Sequence, residues 1–188
     1  MARRNRNLCV KVARDVLDQL RLKRYKAIQG FYVQIEGVNI EEPLENGKES
    51  FKTFFKKQKQ VSCNVCALGS CFVSLVNIKN ECSMQDIAFS DTAQDLTFDR
   101  LEPLFGANNM NLMESAFECE TMRNVNNEDW HEDFSDEMLE AASDWGQQWQ
   151  DDNERLRQIM LNVIRNKGDF KLPKTFLAKV KRQEKANA

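Results

Sequence analysis

The segment Cys63-Asn-Val-Cys-Ala-Leu-Gly-Ser-Cys-Phe-Val-Ser-Leu-Val76 is a mostly apolar stretch in a chain that is otherwise polar. Its only clearly polar side chains belong to Asn64, Ser70 and Ser74. A run of this composition must be buried, so it predicts the centre of the fold. We predict a helix over residues 64–78, in which the small residues Gly69 and Ser70 allow another backbone to pack closely.

The flanking sequence predicts further helices and one strand. Apolar residues recur at helical spacing over residues 8–26, which indicates an amphipathic helix. Phe31, Val33 and Ile35 fall on one side of an extended chain, so residues 31–36 are predicted as a short strand. The remaining predictions are an irregular stretch at 80–96, helices at about 98–105, 109–118, 135–149 and 152–166, and a final helix that opens at Pro173.

The predicted fold class is mainly α, or α+β at most. We expect a compact multi-helix domain around the buried central helix at about 64–78, with a small β-element near 31–36. The length of 188 residues, with 12 Phe and 3 Trp, is sufficient for one domain with a real core. We expect that domain to span residues 1–170, with an acidic section at 114–154, and a basic helix or tail to follow at 171–188.

Hydropathy predicts a cytoplasmic protein without membrane contact. No apolar run approaches the ~18 residues that a membrane-spanning helix requires. The N-terminus is basic, but a charged amphipathic helix follows it and not an apolar signal region.

Charge is segregated along the chain although the net charge is only −2. Residues 1–27 hold nine Lys and Arg against two Asp, and residues 155–188 hold ten bases against two acids. Residues 114–154 hold fourteen acids against a single Arg. Two interpretations are open: the basic ends fold back onto the acidic section, or one of these surfaces meets an oppositely charged partner.

The cysteines raise the question of a metal site. Cys63 and Cys66 have the spacing of half a zinc site, and Cys71 and Cys82 would complete four thiolate ligands. The second pair does not have matching spacing, and the apolar sequence after Cys66 fits buried thiols that pack as small hydrophobes. We therefore predict no cofactor, with zinc as the alternative.

A cysteine nucleophile is a further alternative. Cys66 or Cys63 at the start of a buried helix would gain acidity from the helix N-terminus. The base would have to be His131, the only histidine, which lies in the acidic loop predicted at 119–134. A surface histidine is the simpler interpretation, and no glycine-rich phosphate loop is present. We therefore predict that the protein is not an enzyme, with a cysteine-dependent enzyme as the second alternative.

The basic segments suggest nucleic-acid binding as the first alternative function. The chain has no recognised module that reads DNA or RNA, and it is acidic overall. An acidic surface that imitates DNA would be the converse possibility. The residues that would contact phosphate groups are Arg3, Arg4, Arg6, Lys56, Lys57, Lys181 and Arg182.

The acidic section carries the predicted partner-binding surface. Aromatic residues among charges suit a protein interface. The alternative for Trp145 and Trp149, which are four residues apart, is packing on the core. The predicted contact residues are Glu128, Asp129, Trp130, Glu132, Asp133, Asp136, Glu137 and Asp144.

Several segments occur in an order that resembles a known family. They are the basic N-terminal helix, Gly30-Phe-Tyr-Val33, Cys63-x2-Cys-Ala-Leu-Gly69, Phe105 with Leu112-Met-Glu-Ser-Ala-Phe-Glu118, and Ile159-Met-Leu-Asn-Val-Ile164 with Asn166-Lys-Gly-Asp-Phe170. In these the chain resembles a family of small uncharacterised proteins carried by bacteriophages and some bacteria. The resemblance covers about two thirds of the chain and implies no functional residue. It does imply a phage or mobile-element origin, and hence work inside a host cell.

The predicted function is the binding of another macromolecule without catalysis. The expected partner is a host protein, and the expected role is host takeover or inhibition of a host defence. The partner's identity and the oligomeric state do not follow from the sequence.

Overall fold

The computed structural model describes residues 4–30, 32–36, 52–53, 62–80, 90–120, 136–178 and 182, with side chains for all of these except 90–96. They form a mainly helical domain with a small three-stranded sheet, which confirms the predicted fold class. Residues 174–178 are also helical. The other elements in chain order are α1 (Arg6–Arg21), β1 (Tyr25–Ala27), β2 (Val33–Glu36), β3 (Ser62–Val65), α2 (Ala67–Lys79), α3 (Ser90–Phe105), α4 (Ala107–Glu118), α5 (Asp136–Gly146) and α6 (Asp152–Arg165).

The apolar segment at 63–76 supplies a central strand as well as a central helix. β3 pairs in parallel with β1 and antiparallel with β2, so both of its edges are hydrogen-bonded. The predicted helix over 64–78 is therefore wrong at its start, because the helix begins at Ala67. A short apolar run fits a buried strand as well as a buried helix, and the two strand partners favour the strand.

α2 lies at the centre of the domain, as predicted for this segment. All residues from Ala67 to Val76 are buried. A β-carbon on Gly69 would lie 1.5 Å from the backbone oxygen of Tyr32. The predicted close approach of another backbone is thus confirmed, and that backbone is the one that leads into β2.

α1 is shorter than the predicted helix over 8–26. Its apolar stripe from Cys9 to Val16 is buried, but the helix ends at Arg21. Lys23 then adopts a left-handed conformation with φ of 57°, and the chain continues as β1. Pairing with β3 stabilises this strand, and helical periodicity carries no information about such a distant partner.

β2 confirms the strand predicted at 31–36. Val33 and Ile35 are half-buried, whereas Gln34 and Glu36 are exposed. Phe31 lies outside the described residues.

α3 and α4 are both longer than predicted. α3 begins at Ser90, inside the stretch predicted to be irregular. The prediction misses these first turns because their residues are polar and show no apolar periodicity. Gly106 separates the two helices with φ of 78°, as expected of a residue that ends a helix. α4 begins at Ala107, two residues before the predicted start at 109, so Asn109 is an interior residue of the helix. All residues from Asn109 to Phe117 are buried, which makes α4 a second central helix.

α5 packs on α4 through direct backbone contact. A β-carbon on Gly146 would lie 1.7 Å from the backbone oxygen of Ala116. α5 ends at Gly146, before the predicted end at 149, and α6 matches its predicted range of 152–166 to within one residue.

The two tryptophans of this region belong to the core. Trp145 is buried, and its ring centroid lies 4.6 Å from that of Trp149 and 5.1 Å from that of Phe170. The packing alternative is therefore confirmed for this pair. Leu172 is buried as well, so core contacts continue past residue 170.

Candidate functional site

One side of α5 is acidic and faces away from the core. Leu139, Ala142 and Trp145 are buried on its inner side, whereas Glu140 is exposed. Acidic residues recur on the outer side at helical spacing, and α5 contains no Lys, Arg or His. We call these acidic residues the acidic face: Asp136, Glu137, Glu140 and Asp144.

The predicted partner-binding residues divide between the acidic face and the undescribed part of the chain. Asp136, Glu137 and Asp144 belong to the acidic face. The remaining residues of that prediction lie outside the described residues: Glu128, Asp129, Trp130, Glu132 and Asp133. Glu140 is not among the predicted residues, although its spacing from Asp136 and Asp144 is the signal that would have included it.

The basic N-terminal arm is folded back onto the domain. Arg4 Nη2 lies 3.3 Å from Asp169 Oδ1, and Arg6 Nη2 lies 3.2 Å from Asp169 Oδ2. Arg4 Nε also donates to the backbone oxygen of Leu104 at 3.0 Å. Both guanidinium groups thus share one carboxylate that is only 14% exposed. The interpretation in which basic ends fold back holds for these two residues, although their partner is Asp169 and not the acidic section.

The other residues of the nucleic-acid alternative are mostly undescribed. Arg182 is exposed. Arg3, Lys56, Lys57 and Lys181 lie outside the described residues. Among the described members of that set, Arg4 and Arg6 meet at the carboxylate of Asp169.

The described cysteines do not assemble a metal centre. Cys63 lies in β3 and Cys66 precedes α2, while Cys71 Sγ contacts the sulfur of Met160 at 3.9 Å. No group of three or more His, Cys, Asp or Glu side chains in the described ranges is arranged to hold a metal ion. Burial raises the pKa of Cys63 to about 12 and that of Cys71 still further, whereas zinc ligation requires thiolates. Cys82 lies outside the described residues.

Cys66 lies at a helix N-terminus, as the nucleophile alternative requires. It is the N-cap of α2, and its Sγ accepts a hydrogen bond from the N–H of Gly69 at 3.3 Å. Burial nevertheless raises the pKa of this thiol well above its ordinary value, and the carboxylates of Glu114 and Glu118 raise it further. Cys66 is therefore a protonated, buried thiol at neutral pH, the opposite of an activated nucleophile. The proposed base, His131, lies outside the described residues.

Two carboxyl groups of α4 hold the chain that enters β2. Glu114 Oε1 accepts a hydrogen bond from the hydroxyl of Tyr32 at 2.7 Å. Glu118 Oε2 accepts from the backbone N–H of Gly30 at 2.9 Å. Gln29 donates its side-chain amide to the backbone oxygen of Glu118 at 2.8 Å. Gln29, Gly30 and Tyr32 are thus fastened to the C-terminal half of α4.

The environment of these carboxyl groups favours their neutral forms. Burial raises the pKa of Glu114 to about 6. Burial also raises the pKa of Glu118 to about 7, and the neighbouring carboxylates of Glu114, Asp152 and Glu120 add to that rise. Both groups already accept hydrogen bonds from the protein, so we interpret them as a structural latch whose strength depends on pH.

Arg155 joins the ends of three elements. It is 5% exposed and donates to the backbone oxygens of Phe117, Gly146 and Trp149 at 3.1, 3.2 and 2.6 Å. It also donates to Asp152 Oδ1 at 2.7 Å. These bonds satisfy carbonyl groups near the ends of α4 and α5, and they place the start of α6 beside the end of α5.

The clefts at the surface of the described part include two between helices. One, of 510 Å³, separates α1 from α6 and is lined by leucines and charged residues. The other, of 320 Å³, lies between α1, α2 and α3, and its lining includes Lys79 and Arg100. The larger cleft is the one next to the start of α6, and hence next to α5.

The latch and the Arg155 contacts are absent from the sequence-based predictions. A partial signal exists for Glu114, because it interrupts the apolar residues Leu112, Met113 and Phe117 of a buried helix. Nothing local marks Tyr32 as its partner, since the two residues are 82 positions apart.

Comparison with known proteins gives no match: no family model, no curated protein and no solved structure is significantly similar to this chain. Within the described ranges, the helices are too short or too polar to cross a bilayer. Function can therefore be inferred only from the residues of this chain and their geometry.

Proposed function

We propose that this chain is a non-enzymatic protein that binds a basic surface of another protein through the acidic face of α5. The observation that carries the proposal is the run of acidic residues at positions 136, 137, 140 and 144 on the outer side of a helix that has no base. Like charges four residues apart destabilise a helix by about 0.2–0.5 kcal/mol per pair. Asp136 and Glu137 stabilise the first turn of α5, where the helix dipole favours acidic side chains. Glu140 and Asp144 lie beyond that turn, and the four acidic residues together attract and orient a cationic surface.

The resemblance to phage-carried proteins extends this proposal to the kind of partner. We propose that this chain, as the product of a phage gene, acts on a component of the host. The partner is then a host protein, and the binding serves host takeover or the inhibition of a host defence.

A protein partner is favoured over nucleic acid by the state of the basic arm. Arg4 and Arg6 already share the carboxylate of Asp169. A phosphate group would have to compete with that carboxylate for both guanidinium groups.

The test is the binding of a short fluorescent oligo-lysine peptide to the wild type and to the double variant Glu140→Lys/Asp144→Lys, measured by fluorescence anisotropy. We expect the variant to bind more weakly by about tenfold or more, because two attractive charges become repulsive. We also expect wild-type binding to weaken as salt is raised.

The matched control is Asp99→Lys/Glu102→Lys on α3, since both of these residues are exposed and the change in net charge is the same. An equal loss of binding in this control would assign the attraction to net charge and would refute the acidic face as the site. A gel shift of generic duplex DNA at low salt, with no binding of the cationic peptide, would favour the nucleic-acid alternative.

A further inference from the structure

The larger cleft is a groove between two antiparallel helices. The C-terminal half of α1 forms one wall, and α6 from its N-cap Asp151 to Leu161 forms the other, and the volume is 510 Å³. This size lies within the range of about 300–1,000 Å³ that is usual for binding pockets. Its apolar lining comes from Leu17 and Leu20 of α1 and from Leu161 of α6, all of them half-buried.

Each wall of the groove also carries one exposed ion pair. Arg21 lies 3.4 Å from Asp18 on α1, and Arg157 lies 3.0 Å from Glu154 on α6. Exposed pairs of this kind contribute little to stability, so their side chains can exchange partners readily. Asp151 adds a third carboxylate, which leaves the lining with more acidic than basic groups.

Exposed apolar surface continues beyond the end of α1. Leu22, which directly follows Arg21, is 53% exposed and stands out as a large exposed hydrophobic residue of the described part. Apolar surface next to a groove and surrounded by charges is typical of a protein-binding site.

The groove and the acidic face lie on neighbouring elements. The guanidinium group of Arg155 binds both the backbone oxygen of Gly146, at the end of α5, and the carboxylate of Asp152, at the start of α6. Asp151, which lines the groove, is the residue before Asp152. A partner that contacts the acidic face can therefore reach the groove.

We propose that the groove between α1 and α6 binds an amphipathic helix of the partner protein. Leucine-like side chains of that helix pack on Leu17, Leu20 and Leu161, while its Lys or Arg side chains pair with the acidic groups of the lining. A helix laid into an apolar groove is a common mode of recognition, and the excess of carboxylates selects a basic helix. This inference rests on the proposed function, because it states the chemistry of the same partner.

The test compares two synthetic Leu/Lys peptides of identical composition. One has leucines at i, i+3, i+4 and i+7, so that they form a single helical face, and the other has the same residues in scrambled order. We expect the amphipathic peptide to bind the wild type about tenfold more tightly. We expect Leu161→Gln to abolish this preference. Leu8→Gln, at a half-buried leucine of α1 outside the groove lining, should retain it.

A measurement on the wild type keeps the proposal testable if Leu161→Gln fails to fold. Photo-crosslinking from a leucine position of the amphipathic peptide should label residues of α1 and α6. Labels confined to other elements would refute the groove as the site. A third outcome is that the protein self-associates and that Leu161→Gln abolishes this self-association. The groove would then bind a second copy of this chain, and the proposal would be overturned.

The outcomes separate the two proposals. Equal binding of both peptides, weakened by Glu140→Lys/Asp144→Lys, would overturn the groove and leave the acidic face standing. Absence of binding by both peptides and by oligo-lysine would overturn both proposals together.

Discussion

Glu114 couples the stability of the fold to pH through a single buried carboxyl group. Burial raises its pKa to about 6, whereas a glutamate in an unfolded chain ionises near pH 4.3. Protonation therefore favours the folded state. This contribution is fully present below the unfolded pKa, declines as the pH rises through about 6, and is absent above that range.

Glu114→Gln should reduce the pH dependence of stability. Glutamine retains an acceptor for the hydroxyl of Tyr32 and has no charge to desolvate. We expect the loss of unfolding free energy between pH 4 and pH 8 to be smaller than in the wild type by about 2 kcal/mol. Urea denaturation at several pH values measures this difference. The exposed substitution Glu140→Gln is the control, and equal pH profiles of Glu114→Gln and wild type would contradict the latch.

The described thiols should react slowly in the folded protein. Burial raises the pKa of Cys9 to about 11 and that of Cys63 to about 12, and Cys66 and Cys71 are also fully buried. We expect iodoacetamide at neutral pH to label Cys119, which is partly exposed, before these four. Mass spectrometry of the labelled peptides gives the order. Rapid labelling of Cys66 alone would revive the cysteine-enzyme alternative.

Two contacts between elements depend on the absence of a side chain. Gly69 of α2 meets the backbone of Tyr32, and Gly146 of α5 meets that of Ala116. In both cases the neighbouring atoms belong to the backbone, so they cannot rotate away. These glycines determine how closely α2 approaches β2 and how closely α5 approaches α4.

Gly69→Ala should be strongly destabilising. The added β-carbon would lie 1.5 Å from the Tyr32 oxygen, so α2 and the chain before β2 would have to separate. We expect the free energy of unfolding to fall by about 3 kcal/mol or more, which is at or above the upper end of the usual cost of overpacking a core. Thermal or urea unfolding measures it.

Gly30→Ala is the matched control. No atom lies within 4 Å of the position that a β-carbon on Gly30 would occupy, and only the left-handed backbone, with φ of 80°, opposes the change. We expect a loss of about 1–2 kcal/mol there. Equal losses at Gly30 and Gly69 would contradict the role assigned to the close contact.

Prediction of the elements from sequence succeeds where one helix face is apolar. The range of α6 is predicted to within one residue, because Leu156, Ile159, Met160 and Val163 all lie on its buried face. Prediction fails at Ser62–Val65, because this strand is buried on both faces and shows no alternation. It also fails at the first turns of α3, because their polar residues show no helical periodicity. The role of Gly69 is predicted correctly, because a small residue inside an apolar run indicates close packing.

Arg155 connects distant parts of the domain through one buried cation. Its guanidinium group donates to carbonyl groups near the ends of α4 and α5 and to the carboxylate of Asp152. Removal of this side chain would leave several buried acceptors without donors.

Arg155→Met should therefore cost about 3–5 kcal/mol of unfolding free energy. Arg157→Met, on the exposed side of the same helix, should change it by about 0.5 kcal/mol or less. Urea unfolding followed by tryptophan fluorescence measures both, since the backbone oxygen of Trp149 accepts one of the Arg155 bonds. A loss at Arg155 as small as that at Arg157 would show that the carbonyl groups find other donors.

The sequence alone determines four features: the mainly helical class, the buried apolar segment, the range of α6 and the acidic character of α5. It can do so because the hydrogen bonds of a helix and the spacing of its faces are local. Only the folded structure shows three other features: the strand at Ser62–Val65, the ion pairs of Arg4 and Arg6 with Asp169, and the groove between α1 and α6. The partners in these contacts are far apart along the chain, as with Glu114 and Tyr32, 82 positions from each other. Only the packing of the elements brings such residues together, and no local pattern encodes which distant side chain each of them will meet.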